Sequence, residues 1–311
     1  MPDSFIKGNT MSKRSIIHMF TPKKHTSPFD INMAIDAGYD IAFPHQDVQL
    51  KEVADMTQDA IFSRGPAGVK KTGLFIGGRD IGVAMDMIDA AKKAMVPPFE
   101  ISVFADPSGA FTTAAALVAT VERELKNNFK QDLKGTKAIV FGGTGPVGLA
   151  TAVIAAEQGA HTTIVDHFSL DTALDFAAEA KRRYNVTLTA TAAASDADKA
   201  RLITDADVVF CAAKAGVQVL NSSVLADAKQ LKVAGDVNAV PPLGIEGVEL
   251  MDSGTRLVHA VNSEGAVAVG ALAVGNVKYK LQHELLRQAL ENDTPVYLDF
   301  RNAFKDARKL V

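Results

Sequence analysis

A glycine-rich turn, Gly143-Thr-Gly145-Pro-Val-Gly148, gives the most specific chemical signal in the sequence. In turns of this spacing the first glycine permits a tight bend, the second lets the backbone approach a pyrophosphate, and the third allows close helix–strand packing. The spacing alone is a weak signal, but here an apolar strand precedes the turn at 137–141 and an apolar helix follows it. The turn therefore predicts a dinucleotide site, in preference to a turn without a ligand, formed by Gly143, Thr144, Gly145, Pro146, Val147 and Gly148.

An acid, Asp166, ends the next predicted strand, where a carboxylate can accept hydrogen bonds from an adenosine ribose. Its negative charge would repel a ribose 2′-phosphate, and residues 167–170 offer no arginine or lysine to neutralise one. NAD is therefore favoured, with NADP as the second cofactor. Two alternatives stay open: Asp166 is only a helix N-cap or loop anion, or a charged His167 weakens the discrimination.

A lysine, Lys278, follows an apolar run at 265–277, so a strand or helix end there would bring one ammonium group into a buried cleft. Burial would lower the pKa of this lysine and strengthen its power to orient a ligand. The alternative is a solvated helix lysine with Lys280 and Glu284 as neighbours. We predict that Lys278 is the catalytic residue.

A polar pair, Asp236 and Asn238, follows the predicted strand 231–234, at the sheet edge where ligands bind in open parallel sheets. This pair holds the nicotinamide ribose or caps its own loop, and the sequence favours neither. We also assign Ala212, the last residue of the predicted strand 208–212, to the cofactor site.

The residue patterns that several types of reaction require are absent from this sequence. The histidines have no metal-ligand spacing, so we predict no metal site, and no G-x-S-x-G or Walker motif occurs. None of the four tyrosines is followed four positions later by a lysine, so the Tyr-x-x-x-Lys pair of short-chain dehydrogenases is absent. These absences favour a redox step that needs little proton transfer.

Strand-like and helix-like segments alternate along the whole chain, which predicts an α/β fold. We expect two domains: a Rossmann-type doubly wound parallel sheet at 116–287 and a smaller α/β substrate domain at 1–115, completed by the C-terminal helix 288–311. Residues 1–12 are expected to be disordered. The predicted strands are 15–20, 72–76, 101–105, 137–141, 162–165, 186–191, 208–212, 231–234 and 257–261.

Composition excludes several partner classes. The net charge of −3 leaves no basic excess for nucleic acid or for an acidic membrane surface. The uncharged stretch 138–156 contains four glycines and a proline, so we expect a strand, a turn and a helix there and no membrane span. The single cysteine suits a reducing cytosol, and we expect a cytoplasmic protein.

Six segments together resemble the NAD(P)-dependent methylenetetrahydromethanopterin dehydrogenases of methylotrophic bacteria. The NADP-specific branch of that family has a Gly-Arg-Lys-like stretch where this chain has Val165-Asp-His167, so the resemblance is to the NAD-accepting branch. The segments are Ser27-Pro-Phe-Asp30, Thr72-Gly-Leu-Phe-Ile-Gly-Gly78, Asp106-Pro-Ser-Gly-Ala-Phe-Thr-Thr113-Ala, the glycine turn, Asp236-Val-Asn-Ala-Val-Pro-Pro-Leu-Gly244 and Gly270-Ala-Leu-Ala-Val-Gly-Asn-Val-Lys278.

The resemblance implies hydride transfer from 5,10-methylenetetrahydromethanopterin to NAD(P)+ in one-carbon metabolism, during formaldehyde oxidation. It implies two domains with the pterin in the cleft between them and a homo-oligomer, a trimer being known for the NADP branch. Lys278 matches the lysine beside the pterin. The residues that match the cleft wall, and are expected to bind substrate, are Lys23, Ser27, Ser108, Thr112 and Thr113.

Three alternatives accompany this interpretation. The same reaction on tetrahydrofolate would need pterin-side contacts that the sequence does not reveal. A non-catalytic NAD(H)-binding redox sensor would bind the dinucleotide without turnover and would have a degenerate cleft. A dehydrogenase of a different small substrate would share the two-domain plan.

Overall fold

Two β-sheets with helices on their faces make up the computed structural model, which describes residues 13–311. The predicted disorder of residues 1–12 lies outside the described residues. The strands are β1 (Ile16–Phe20), β2 (Ile41–His45), β3 (Thr72–Ile76), β4 (Ser102–Ala105), β5 (Lys137–Phe141), β6 (His161–Asp166), β7 (Thr189–Ala192), β8 (Val208–Cys211), β9 (Val233–Asp236), β10 (Ser253–Arg256), β11 (Val267–Val269) and β12 (Tyr297–Leu298).

Eleven α-helices connect and cover these strands in the part of the chain that the structure describes. They are α1 (Pro28–Asp36), α2 (Val53–Phe62), α3 (Pro66–Val69), α4 (Ile81–Ala94), α5 (Ala110–Phe129), α6 (Pro146–Glu157), α7 (Leu170–Tyr184), α8 (Asp196–Ile203), α9 (Ser222–Ala226), α10 (Ala271–Glu291) and α11 (Phe300–Ala307).

The first sheet is parallel, in the order β12-β4-β3-β1-β2. The second has the order β10-β11-β9-β8-β5-β6-β7, parallel except for β10 at its edge. Without β10, this is the 3-2-1-4-5-6 order of a doubly wound sheet, whose strand order reverses between β5 and β8. The carboxyl ends of these two strands are therefore where a ligand is expected.

Two long helices join the sheets. Helix α5 follows β4 of the first sheet and leads to β5 of the second, while α10 leads back from β11 toward β12. Most of α5 is buried against α6, α10 and α11. The predicted boundaries at 115 and 287 fall inside α5 and α10, so our proposed division cuts through helices that both sheets share.

The predicted strand at 257–261 is wrong. That segment is a loop between β10 and β11, in which Val258 and Val261 are 60% and 70% exposed while Leu257 and Ala260 pack into the core. The N–H of Leu257 donates to the carbonyl of Ala266 at 2.8 Å, which closes the loop. The segment is as apolar as a strand because Leu257 and Ala260 anchor the loop in the core.

The sequence pattern also misses β2, in which Pro44 interrupts the strand-like residues. A proline lacks the N–H that a central strand needs, but β2 lies at the sheet edge, where no second neighbour requires that donor.

The apolar stretch 138–156 forms β5, the glycine turn and most of α6, as predicted. Helix α6 is buried on nearly all sides because it packs between the second sheet and α5. Among residues 13–311, no helix combines the length and the apolar character needed to cross a membrane.

Candidate active site

The glycine turn connects β5 to α6, with Gly145 as the N-cap. Its left-handed residue is Gly142, at a φ of 71°, and not Gly143, to which the sequence spacing assigned the tight bend. A Cβ at Gly142 would lie 2.6 Å from the carbonyl oxygen of Ala212. Ala212 itself follows β8 directly and donates its N–H to the carbonyl of Phe141 at 2.9 Å. The turn and Ala212 therefore meet at the point where the strand order reverses.

The three glycines of the motif have different neighbours, so a side chain would meet different contacts at each. A Cβ at Gly143 would lie 2.7 Å from the Cβ of Ile164, and one at Gly148 would overlap the carbonyl of Gly142. A Cβ at Gly145 would contact only that carbonyl, at 3.3 Å, which a small shift would relieve. Protein packing explains Gly143 and Gly148, whereas the open face at Gly145 fits a ligand that approaches the backbone closely.

The start of α6 offers N–H groups to an anion. Leu149 donates to the carbonyl of Gly145 at 2.9 Å, which closes the first helical turn. The N–H groups that precede it, those of Val147 and Gly148, have no acceptor within the helix. Together with the positive end of the helix dipole and the open face at Gly145, they fit the pyrophosphate of a dinucleotide.

Asp166 lies at the end of β6 beside this turn. One carboxylate oxygen, Oδ1, accepts hydrogen bonds from the N–H groups of Phe168 and Ser169, both at 2.9 Å. The other, Oδ2, accepts one from the Thr144 hydroxyl at 2.7 Å. Partial burial acts to raise the pKa of Asp166, but these three hydrogen bonds outweigh it and the pKa is lowered. The acid is therefore ionised and fixed next to the turn.

The polar pair at the end of β9, Asp236 and Asn238, is engaged with its own loop. Asp236, 1% exposed, accepts hydrogen bonds from the N–H groups of Asn238 and Ile245 at 2.9 and 3.0 Å. The Asn238 side chain bonds to the backbone of Gly216, Val240 and Pro242. These bonds hold the loop, so a cofactor contact by Asp236 or Asn238 remains a proposal.

Lys278 lies two turns into α10, with its side chain largely buried. Its ammonium group donates to Oε1 of Gln282 and lies 4.0 Å from the centre of the Phe29 ring. Burial lowers the pKa of Lys278, while the nearby carboxyls of Asp106 and Asp30 act in the opposite direction. The ammonium group thus occupies a largely buried position, as the sequence predicted, but it is carried by the interior of α10 and not by a strand or helix end.

Two carboxyls that the sequence analysis did not assign surround this lysine. Asp106, fully buried after β4, accepts hydrogen bonds from the N–H groups of Phe111 and Thr112 and from the Thr112 hydroxyl at 2.6 Å. Burial raises the pKa of Asp106, against the effect of Lys278. Asp30 on α1 accepts a hydrogen bond from Nε2 of Gln282 at 2.9 Å.

Burial also raises the pKa of Asp30, to about 6, and the neighbouring Asp106 carboxyl contributes to this rise. We call Asp30, Asp106, Lys278 and Gln282 the lysine cluster. Both acids stand in segments that carried the family resemblance, and Gln282 follows Lys278 at the i+4 spacing of one helix face. These features were the signals in the sequence that could have identified Asp30, Asp106 and Gln282, which the sequence analysis missed.

A cavity of about 250 Å³ opens beside the cluster. Among its lining residues are Lys23, Ser27, Ser108 and Asp30, so three of the five predicted substrate residues meet there. Ser108 has a left-handed φ of 54° and donates its hydroxyl to the carbonyl of Gly78 at 2.7 Å.

The other two predicted substrate residues do not line this cavity. Thr112 is completely buried, and its hydroxyl holds Asp106. Thr113 lies on the next helical position of α5 and is half-buried. Thr112 therefore supports Asp106 of the lysine cluster and does not form part of the cavity wall. The sequence analysis had expected both threonines in that wall.

A second cavity, of about 640 Å³, lies where the two sheets' helices meet beside the glycine turn. Its lining includes Thr144 and Gly145 from the turn and Arg79 from the loop before α4. An ion pair between Arg183 on α7 and Asp86 on α4, with N–O distances of 2.7 and 2.9 Å, joins its two walls. The turn therefore adjoins a space that both parts of the molecule shape.

Comparisons with known proteins identify the family of this chain. Residues 28–108 match a family model described as the N-terminal part of methylene-tetrahydromethanopterin dehydrogenase. The NAD(P)-dependent methylenetetrahydromethanopterin dehydrogenase of Methylorubrum extorquens is 48% identical over 302 residues, covering 96% of this chain and 99% of that protein. The chain belongs to the methylenetetrahydromethanopterin dehydrogenase family.

A second member of this similarity group, the bifunctional protein MdtA of Methylorubrum extorquens, is 31% identical and covers 97% of this chain and 100% of that protein. The family resemblance stated from the sequence motifs is thus confirmed.

Two solved structures show the same fold at low sequence identity. A ligand-free 5-ketofructose reductase of Gluconobacter has a TM-score of 0.51 at 18% identity, over 96% of this chain and 99% of that one. A malic enzyme from Pyrococcus horikoshii has a TM-score of 0.54 at 12% identity, over 97% and 78%. These likenesses concern the fold alone, and with the two sheets they confirm the predicted two-part α/β class.

Proposed function

We propose that this family member transfers hydride from 5,10-methylenetetrahydromethanopterin to NAD(P)+, giving the methenyl derivative and NAD(P)H. One observation supports this most. Helix α10 begins at the carboxyl end of β11 in the second sheet and brings Lys278 against Asp106 and Gly109, at the carboxyl end of β4 in the first sheet. The lysine cluster and the glycine turn thus occupy carboxyl edges of the two sheets, where ligands bind in such folds.

The residues divide the task between them. The turn holds the pyrophosphate, and the bound nicotinamide ring is the hydride acceptor. Lys23, Ser27 and Ser108 hold the pterin carrier in the smaller cavity beside the lysine cluster. Placing the reacting carbons about 3–3.5 Å apart is the main requirement, because such alignment removes much of the entropic barrier.

The charges of the lysine cluster suit the charge change in the substrate. Loss of hydride from an N–CH2–N bridge leaves a delocalised cation, so the step needs neither a base nor a nucleophile. Above about pH 6 Asp30 is ionised, and its carboxylate favours the developing positive charge. Lys278, whose pKa burial lowers, orients a polar group of the pterin and is itself held by Gln282.

NAD is the preferred cofactor in this proposal because Asp166 is ionised beside the adenosine ribose position. Asp236 and Asn238 support the nicotinamide end through the loop they hold together. We further propose a cytoplasmic homo-oligomer that acts in one-carbon metabolism, with the buried free thiol of Cys211 consistent with a reducing compartment.

The test is one assay series with two carriers, tetrahydromethanopterin and tetrahydrofolate in their methylene forms, and two nicotinamides. We expect methenyl-pterin and NADH absorbance to rise together, one for one, with the methanopterin carrier. Faster turnover with the folate carrier would overturn the substrate assignment. NAD binding without turnover on either carrier would indicate a redox sensor instead of an enzyme.

A further inference from the structure

Thr144, the residue between the first two glycines of the motif, is linked to the acid that discriminates the two nicotinamides. Its hydroxyl donates to Oδ2 of Asp166 at 2.7 Å, while Oδ1 accepts the two N–H groups of Phe168 and Ser169. An ionised carboxylate has about four acceptor positions. Three of them are therefore filled by the protein, and about one remains for a ligand.

We propose that Thr144 is a specificity-determining residue, which fixes the Asp166 carboxylate at the ribose position and thereby sets the preference for NAD. This inference rests on the proposed function. Rotation about Cβ–Cγ moves both carboxylate oxygens together, so the N–H groups of Phe168 and Ser169 already oppose it at Oδ1, and the Thr144 hydroxyl adds a third restraint at Oδ2. Without that hydroxyl the carboxylate is held less firmly. With all three bonds, both oxygens are held.

A fixed carboxylate treats the two cofactors differently. A ribose 2′-hydroxyl can donate to the one free acceptor position. A 2′-phosphate carries only acceptor oxygens and negative charge, and a carboxylate whose two oxygens are both held cannot turn away from it. The Thr144 bond also contributes to the lowered pKa of Asp166, which keeps the repelling charge in place.

The position of Thr144 gives this arrangement a further property. Because Thr144 lies inside the turn that receives the pyrophosphate, the residue that orders the acid is built into the phosphate site itself. Its neighbours Gly143 and Gly145 have no side chains that compete for Asp166. The selectivity is therefore tied to the turn as well as to the loop at 167–169.

The test compares Thr144→Val, which keeps the side-chain shape without the hydroxyl, with Thr144→Ser, which keeps the hydroxyl. We measure kcat/KM for NAD and for NADP and take their ratio. Thr144→Val should lower the NAD-to-NADP ratio about 10- to 100-fold, as expected for one hydrogen bond to a charged group, and Thr144→Ser should stay within about twofold. Binding of 2′,5′-ADP should tighten in Thr144→Val alone.

The outcomes separate this inference from the function on which it rests. If Thr144→Val leaves the ratio unchanged, or weakens NAD and NADP equally, while Asp166→Ala lowers the ratio, Thr144 only shapes the turn and the inference is overturned. If Asp166→Ala itself leaves NAD strongly preferred, the selectivity part of the proposed function fails. Should Thr144→Val not fold, Thr144→Ala with the same two measurements decides the question.

Discussion

The glycine turn and the lysine cluster are built in opposite ways. The turn is a run of consecutive residues whose function lies in the backbone: bends, absent Cβ atoms and N–H groups. The cluster is made of side chains from three separate segments, and the Gln282–Asp30 hydrogen bond spans 252 positions of the chain. The backbone features of the turn are therefore encoded locally, whereas the charges of the lysine cluster depend on tertiary structure.

The two regions also differ in their electrostatics. Near the turn, hydrogen bonds lower the pKa of Asp166, so its charge is constant at any physiological pH. In the cluster, burial raises the pKa of Asp30 to about 6 and lowers that of Lys278. We therefore expect changes in the turn to act on cofactor affinity and changes in the cluster to act on turnover and its pH dependence.

The largest effect is expected from Lys278→Ala. Removal of the ammonium group should cut kcat by about 100-fold, since misplacing a substrate by about 1 Å costs that much. The dissociation constant of NAD, measured by calorimetry, should change by less than about threefold. Lys280→Ala, on the exposed side of the same helix, is the matched control and should alter neither quantity. Equal losses in turnover and NAD affinity would mean that the two regions are not separable.

The next effect concerns the turn. Gly148→Ala would place a Cβ on the carbonyl of Gly142, so the start of α6 must move away from β5. We expect a loss of about 1–3 kcal/mol in the free energy of unfolding and NAD binding weakened by at least about tenfold. Gly275→Ala is the control, because its Cβ meets open space within a helix and should stabilise by about 0.5–1 kcal/mol. Unchanged NAD affinity in Gly148→Ala would show that the turn does not hold the cofactor.

The sequence predicted the glycine turn better than it predicted the lysine cluster, for a physical reason. The turn and Asp166 lie where the strand-turn-helix pattern put them, because local geometry enforces the pattern. Asp30 and Asp106 acquire raised pKa values only when α1, α10 and the segment after β4 come together, which no spacing reveals. The sequence could not show that the tight bend lies at Gly142 instead of Gly143, because the motif does not reveal that the backbone of Ala212 lies against Gly142.

The pattern of β-strands shows the same limit. Strands β3 and β5 have the predicted bounds because each contains a short run of buried apolar residues. The loop at 257–261 was mistaken for a strand since its anchoring residues Leu257 and Ala260 are as apolar as a core strand. Local composition therefore identifies what is buried better than it identifies how the backbone runs there.

A smaller effect is expected from the titration of Asp30. Its folded pKa of about 6 lies above the ordinary carboxyl value of 3.8, so the ionised form destabilises the fold above about pH 6 and this cost disappears as the pH falls through both values. Asp30→Asn should therefore raise the free energy of unfolding by roughly 2–3 kcal/mol at pH 7.5 and by little at pH 4.

The effect of Asp30 ionisation on turnover should be opposite to its effect on the free energy of unfolding. kcat of the wild-type protein should decline as the pH falls through about 6, when Asp30 takes up a proton, and Asp30→Asn should be slow at every pH without that step. Asp36→Asn, at the other end of α1, serves as the control. A pH profile with the same acid limb in Asp30→Asn and in the wild type would assign that limb to another group.

We propose above all that the turn holds the hydride acceptor and the lysine cluster the donor, so that hydride passes directly between them. The most direct measurement uses methylenetetrahydromethanopterin that carries two deuterium atoms on the bridging carbon, with NAD as acceptor, followed by mass analysis of the reduced nicotinamide. We expect one deuterium in each NADH formed and a slower rate than with the unlabelled carrier. Deuterium released to water, or NADH formed without label, would contradict this proposal.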